Sequence, residues 1–532
     1  MASPPTDLSA ALVLAPPPLA EWLVVLPVAW MIGLGALLMM VRKSVRLHGA
    51  IAIAGLVLLV LLDAALLWRV WSHGPVTMVM GRWLPPFGIA FTADLFGAAM
   101  ALASAAAALA AGIFALGDID ANGRRYGFFP FLMLLMAGVT GSFLTGDIFN
   151  LYVWFEVLLI SSFGLLILGS EPEQIDGALK YAILNLIGTT LFLIAVGYLY
   201  AIFGTLNMAD IARKAGTLRE TAPLATLTAL FILAFSMKAA AFPVNFWLPA
   251  SYHTPRITVS ALFGGLLTKV GVYALIRVTV MLFPVEREEL SLVIAVLAVL
   301  TMLMGALGAL AQSDTRRLVG YVVIAGIGNM LAGVAIGTPA AVSGAILYAL
   351  HSVATMTALY LVAGEAARLT GAWSLSGLGG LYRQAPWFSA ASLALFLAAA
   401  GLPPLSGLWP KVALLKASLD IGAWWLAAAI LVSAFVVTLA LARVFLFAYW
   451  RPLPAPVEGQ LAGEAPSGPG AAAGNWRTAL PLGFLTALVV LFGLLPEPLL
   501  DLTQRAADAL ADPSGYTGSV FSRPTTERGA AP

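Results

Sequence analysis

Cysteine is absent from the chain, which excludes a disulfide framework, a thiolate metal site and a cysteine-bound iron–sulfur cluster. Histidine is nearly absent too, with four scattered residues and no HExxH-like spacing. No metal and no cofactor is therefore expected. Charge is scarce, at 10% of residues, and the net +2 gives nucleic acid nothing to bind. The proline-rich stretch before Leu19 lacks a basic start and does not read as a cleaved signal.

What fills the chain instead is apolar, 61% of 532 residues, far more than a soluble core needs. Runs of bilayer-spanning length, cut by Gly, Pro or charge, predict an all-α polytopic membrane protein of about 14 transmembrane helices. The expected spans are 19–41, 48–71, 90–116, 127–145, 148–169, 177–203, 223–250, 257–282, 289–311, 316–337, 340–367, 386–419, 422–449 and 478–500 (TM1 to TM14). Between them, 76–89 reads as an extended hairpin outside the membrane, and NMADIARKAGTLRE as a short surface helix. Residues 451–476, rich in Pro, Gly and Ala, read as a flexible loop, and the polar tail after 501 as surface-lying or disordered.

Two spans are interrupted by proline: TM7 at FPVNFWLP (Pro243) and TM12 at GLPPLSGLWPK (Pro403, Pro404, Pro410). Broken helices in matching places of two halves point to an inverted-repeat transporter. The expected organisation is TM1–3 in 1–126, a first five-helix repeat (helices 4–8) in 127–282, and a second (helices 9–13) in 289–449. A loop at 450–477 and then TM14 with the tail (478–532) complete the chain. Basic residues in short loops set the orientation. Arg42, Lys43, Arg46, Arg124, Arg125, Arg256, Arg316, Arg317, Arg368, Arg383, Arg451 and Arg477 share one side. Arg82, Arg287 and the cluster Arg213, Lys214 and Arg219 oppose them. The larger set faces the cytoplasm, which leaves both termini outside it.

Ionisable residues at membrane depth are costly, about 3 kcal/mol for a central lysine, and mark ion pathways. Lys238 lies deep in TM7, within one turn of the carbonyl that Pro243 frees at Ala239. Glu156, a third of the way into TM5, needs a cation, and Lys238 is the candidate. A Glu–Lys pair that opens and closes is a proton switch. Asp147, on the opposite face of that helix from Glu156, fits an N-cap. Lys269 sits among small residues in mid-TM8. In TM11, His351 forms a polar stripe with Tyr348 and Thr355, and reads as a relay between lysines or as a satisfied core histidine. Glu365, farther along the same face, marks a cytoplasmic mouth or is a plain interfacial charge. Lys411 follows the carbonyls that Pro403 and Pro404 free at Ala399 and Ala400, and reads as the last member of a polar chain. Asp63, Asp94 and Arg443 are also intramembrane, without an assignable partner; Asp94 stands where it would open TM3.

With those residues located, GDIFNLYVWFEVLLISSFGLLILG, KAAAFPVNFWLPASY, SALFGGLLTKVGVYALIR and GLPPLSGLWPK resemble the D-type subunits of Mrp-type multisubunit Na⁺/H⁺ antiporters. The wider superfamily takes in the antiporter-like subunits of respiratory complex I and of membrane-bound hydrogenases. The resemblance implies that Glu156 and Lys238 are the family's ion pair, Lys269 its central lysine, His351 its relay and Lys411 its terminal lysine. It implies proton translocation coupled to Na⁺ export, partner subunits of the A, B, C, E, F and G types, membrane lipids around them, and a bacterial inner membrane. The rival expectations are a proton-pumping subunit of a redox complex and an assembly scaffold. The chain departs from the superfamily pattern at Ser352 and Met356, where an acidic residue and a lysine are common, which thins the TM11 relay. It departs again at Ala250 and HTPRIT, which bears on the cytoplasmic entrance.

Overall fold

The computed structural model describes residues 17–453 and 475–521. Two long apolar helices, α1 (Leu19–Met40) and α2 (Val45–His73), lead into an antiparallel hairpin of β1 (Val76–Val79) and β2 (Ala90–Ala93). Val76 pairs with Ala93 and Val79 with Ala90, so the expected hairpin forms. Then follow α3 (Leu95–Asp118), α4 (Ala121–Tyr126), α5 (Phe128–Leu144), α6 (Ile148–Leu166) and α7 (Pro172–Phe203). The α6 start is set by Asp147, whose carboxylate accepts from the Asn150 N–H at 2.8 Å, the N-cap expected of it. The expected surface helix is α8 (Met208–Leu218), with Lys214 on Asp210 at 2.7 Å.

Beyond it, α9 (Leu224–Ala239) stops and α10 (Trp247–Ser251) follows after a non-helical stretch. A single rod, Ile257–Leu282, combines α11 (Ile257–Leu262) and α12 (Thr268–Ile276), each followed by a π-helical turn. The chain continues through α13 (Pro284–Glu289), α14 (Ser291–Ala311), α15 (Thr315–Ile336), α16 (Pro339–Thr370), α17 (Leu381–Gln384) and α18 (Pro386–Ala400). After a second break come α19 (Leu408–Asp420), α20 (Trp424–Phe445), α21 (Trp476–Leu494), α22 (Glu497–Ala511) and α23 (Ser514–Phe521). Most of the expected flexible loop, 454–474, lies outside the described residues.

Eleven helices among the described residues are long and apolar enough to cross a membrane. Three apolar helices are shorter, at Phe128–Leu144, Leu224–Ala239 and Pro386–Ala400, in the expected places of TM4, TM7 and TM12. The last two are short because proline stops them. At the first break Ala240 turns left-handed (φ 61°), Ala241 N–H returns to Ser236 O, and the chain passes Pro243. At the second Gly401 turns left-handed (φ 84°), Leu402 N–H returns to Leu397 O, and the chain passes Pro403 and Pro404. Glycine fits the second position; alanine in the first carries a strain of about 1 kcal/mol.

Burial sorts the helices into centre and rim. The membrane window of the Ile257–Leu282 rod is 100% buried and that of α16 is 94% buried, against 33% for α2 and α21. The rod, α15 (89% buried) and α16 thus form the protein-enclosed centre. At the two breaks, the buried ends of α9 and α18 lead into irregular backbone of the kind tolerated where protein encloses it. The tail departs from expectation, because its described part is folded. α22 packs on α3 and α16, and α23 on α8 and the hairpin. Their small and apolar residues Ala506, Ala507, Leu510, Tyr516 and Val520 are buried, and in α22 a near-neutral average concealed an amphipathic face.

Candidate functional site

Lys238 is the last basic residue of α9 and is buried at the first break. Its Nζ donates to Asn185 O at 3.1 Å and to Thr189 Oγ1 at 2.5 Å, both on α7. It also stands 5.8 Å from the Phe155 ring centroid on α6. The next residue, half-buried Glu156, acts on the ammonium electrostatically, but its Oε1 has no hydrogen-bond partner. The expected pair stands open in this structure, with no salt bridge joining Glu156 to Lys238. The ammonium is instead engaged by the α7 carbonyl and hydroxyl, which come within reach because α7 presents Gly188 to the Lys238 stem.

Lys269 is fully buried in α12, immediately after a π turn, and donates to Gly264 O at 2.6 Å. That carbonyl lies within the π turn, where the helix winds wide enough for the lysine to reach back five residues. No carboxylate pairs with Lys269 among the described residues.

The second break gathers the remaining residues. Lys411, on α19, donates to Ala399 O at 3.1 Å and Ala400 O at 2.5 Å. These are the carbonyls that Pro403 and Pro404 release, so the lysine satisfies what the prolines orphan. His351 on α16 reaches the same break, with Nδ1 2.8 Å from Ser406 Oγ and 3.2 Å from Thr355 Oγ1. Gly407 permits this approach: a Cβ there would stand 3.0 Å from His351 Nε2. Tyr348 lies edge-on to the imidazole, centroids 5.9 Å apart. The ammonium groups of Lys411 and Lys269 both act electrostatically on His351. Pro410 opens α19 one residue before Lys411.

The comparisons with known proteins decide the family. A family described as "NADH:quinone oxidoreductase/Mrp antiporter, TM" matches residues 145–437, which includes every buried charge just described. A protein of Alkalihalophilus pseudofirmus, named as the D-type subunit of a Na(+)/H(+) antiporter, is 36% identical over 94% of this chain and 99% of its own length. The chain belongs to the NADH:quinone oxidoreductase/Mrp antiporter family. A like-named Bacillus subtilis protein is 35% identical over the same shares. Among solved structures, a chain of the Mrp complex from Dietzia sp. superposes with a TM-score of 0.86 at 28% identity, over 95% of this chain and all of that one. A chain of Thermus thermophilus respiratory complex I gives 0.77 at 25% identity, over 94% and 100%.

Lys238, Lys269, His351 and Lys411 are thus all buried, Lys238 at the first break and His351 and Lys411 at the second. Glu365 differs: it is clasped by Arg368 at 2.6 and 2.8 Å. That fork neutralises it, and it does not stand as an open acidic mouth. Asp63 is fully buried with neither oxygen partnered, and Arg443 donates to Gln312 O. The largest residue missed by sequence reasoning is Arg277. It is 1% exposed and grips Asp94 through both Nη atoms, at 2.5 and 2.8 Å. Asp94 also caps α3 through Gly97 N–H, as expected, and Arg277 donates to Tyr273 Oη at 2.8 Å. The two residues are 183 positions apart, and no local pattern joins them. No cluster of His, Asp and Glu suited to a metal occurs among the described residues.

Proposed function

We propose that this chain is the D-type subunit of a multisubunit Na⁺/H⁺ antiporter and carries protons along Glu156, Lys238, Lys269, His351 and Lys411. Na⁺ moves elsewhere in the complex, since a path dominated by lysine repels cations. The observation that carries the reading is His351, hydrogen-bonded at Ser406 into the same break whose carbonyls Lys411 satisfies. Relatives named as antiporter subunits at 36% and 35% identity support the antiporter over a redox complex, whose likeness to this chain is at 25% identity. A subunit of this kind is a secondary transporter component, not an enzyme. It assembles with subunits of the A, B, C, E, F and G types in a bacterial cell membrane, with both termini outside the cytoplasm. The matching backbone of the two breaks supports two inverted repeats over helices 4–8 and 9–13.

The test is transport by the assembled complex in inverted vesicles, read as quenching of a ΔpH dye. Lys269→Ala and His351→Ala are each expected to copurify with partner subunits and to lose most Na⁺-driven proton movement. Wild-type rates in Lys269→Ala would refute a proton path through this chain.

A further inference from the structure

On the arginine-rich face the structure has an open cavity of about 580 Å³, away from the buried lysines. One wall is the second limb of the first break and the turn after it, from Phe246 to Thr254; the opposite wall is the start of α15. A single hydrogen-bonded residue joins these walls. His253 Nδ1 lies 3.0 Å from Pro249 O, and its Nε2 lies 3.0 Å from Arg317 Nη2. A carbonyl only accepts and a guanidinium only donates. Both contacts therefore require the neutral tautomer with its proton on Nδ1. A second proton would set an N–H on Nε2 against the Arg317 donor, and the contact would break. We propose that His253 and Arg317 form a proton-operated latch across this cavity, closed while the imidazole is neutral and opened when it is protonated.

The surroundings single out these two residues. On α15, Arg316 is engaged by Asp314 at 2.8 Å and by the Trp373 ring at 4.5 Å, while Arg317 has no carboxylate partner among the described residues. On α7, Lys180 is paired with Asp176 at 2.5 Å, and Glu173 lies on the same wall. In the turn itself, exposed Arg256 acts on Asp118, the carboxylate that caps α11. Burial, then the charges of Arg317 and Arg316, hold the His253 imidazole below its usual range, opposed by Asp314 and the Pro249 carbonyl. By sign, the neutral, latched form is dominant at neutral pH and is lost as the pH falls. His253 follows Lys238 and Pro243 along the same broken helix, so the latch governs how that helix's second limb meets the other half of the protein. The proposal deepens the proton-path reading and rests on it for its role in transport.

The test uses accessibility, which needs no transport. The chain has no cysteine, so Ala250→Cys on the cavity wall gives it a unique thiol. In the assembled complex, labelling of this chain by a membrane-impermeant sulfonated methanethiosulfonate is followed from about pH 8 to about pH 4.5, because His253 is held below the usual imidazole range. Each rate is divided by that of Ala250→Cys combined with His253→Gln, which can make both hydrogen bonds, cannot titrate, and shares the thiol's own pH dependence. The ratio is expected to rise at least about threefold on acidification, in the acidic part of that span. Arg317→Ala should label fast at every pH. A flat ratio, or slow labelling of Arg317→Ala at high pH, overturns the latch. If instead the ratio rises while Lys269→Ala transports normally, the latch stands and the proton-path reading fails.

Discussion

Replacing Lys411 by methionine removes one ammonium group and keeps most of the side-chain volume. In the structure that group is the donor to two carbonyls, Ala399 O at 3.1 Å and Ala400 O at 2.5 Å, in a break that proline prevents from closing itself. A buried acceptor left without a partner costs about 1–3 kcal/mol, so two of them cost about 2–6 kcal/mol. Lys238→Met is the internal control. Its ammonium contacts a helical carbonyl, which retains its own backbone donor, and the Thr189 hydroxyl, which can turn elsewhere, so about 1–2 kcal/mol is expected. Both variants should stop proton movement, since neither can hold a proton at that position. They should differ in durability. Heated in detergent and assayed for surviving complex, Lys411→Met should be lost well below the temperature that Lys238→Met tolerates. Equal melting of the two would mean that water satisfies the Ala399 and Ala400 carbonyls unaided, and that Lys411 does not close the break.

Lys238→Arg keeps the charge but cannot release a proton at accessible pH, so it should assemble fully and transport poorly; normal ΔpH formation would make Lys238 a fixed counter-charge. Asp94→Asn leaves Arg277 buried and alone, and should cost about 3–5 kcal/mol, read as a reduced yield of folded complex. Asp94→Asn with Arg277→Met should recover much of that yield, and no recovery would show that the pair does more than neutralise itself.

The places where sequence and structure agree have local causes. Proline punctuation marks both breaks, because a ring at one position frees a carbonyl four residues back whatever else surrounds it. That rule alone places acceptors at Ala399 and Ala400, and Lys411 occupies them. Asp147 and Asp94 are legible as caps for the same reason: the group they satisfy lies three residues ahead. Disagreement begins where the partner is remote. Lys238 and Glu156 look like a pair, yet the ammonium is held by Asn185 and Thr189, and nothing in a backbone carbonyl advertises itself in a sequence. Arg277 and Asp94 meet only after about a third of the chain has folded between them. The tail helix α22 was hidden by composition: one of its faces is small or apolar while its average is near neutral.

Those last helices have a consequence for how much of the chain the fold needs. Tyr516 lies 5.4 Å from the Arg277 guanidinium, Ser519 hydroxyl meets Thr77 at 2.9 Å, and Thr503 meets Ser343 at 3.1 Å. α23 thus covers a charge pair contributed by residues hundreds of positions away in the chain, and fastens the hairpin beside it. Without it, that face of the Arg277–Asp94 pair and of the hairpin lies uncovered, so truncation before Tyr516 is expected to lower the yield of folded complex.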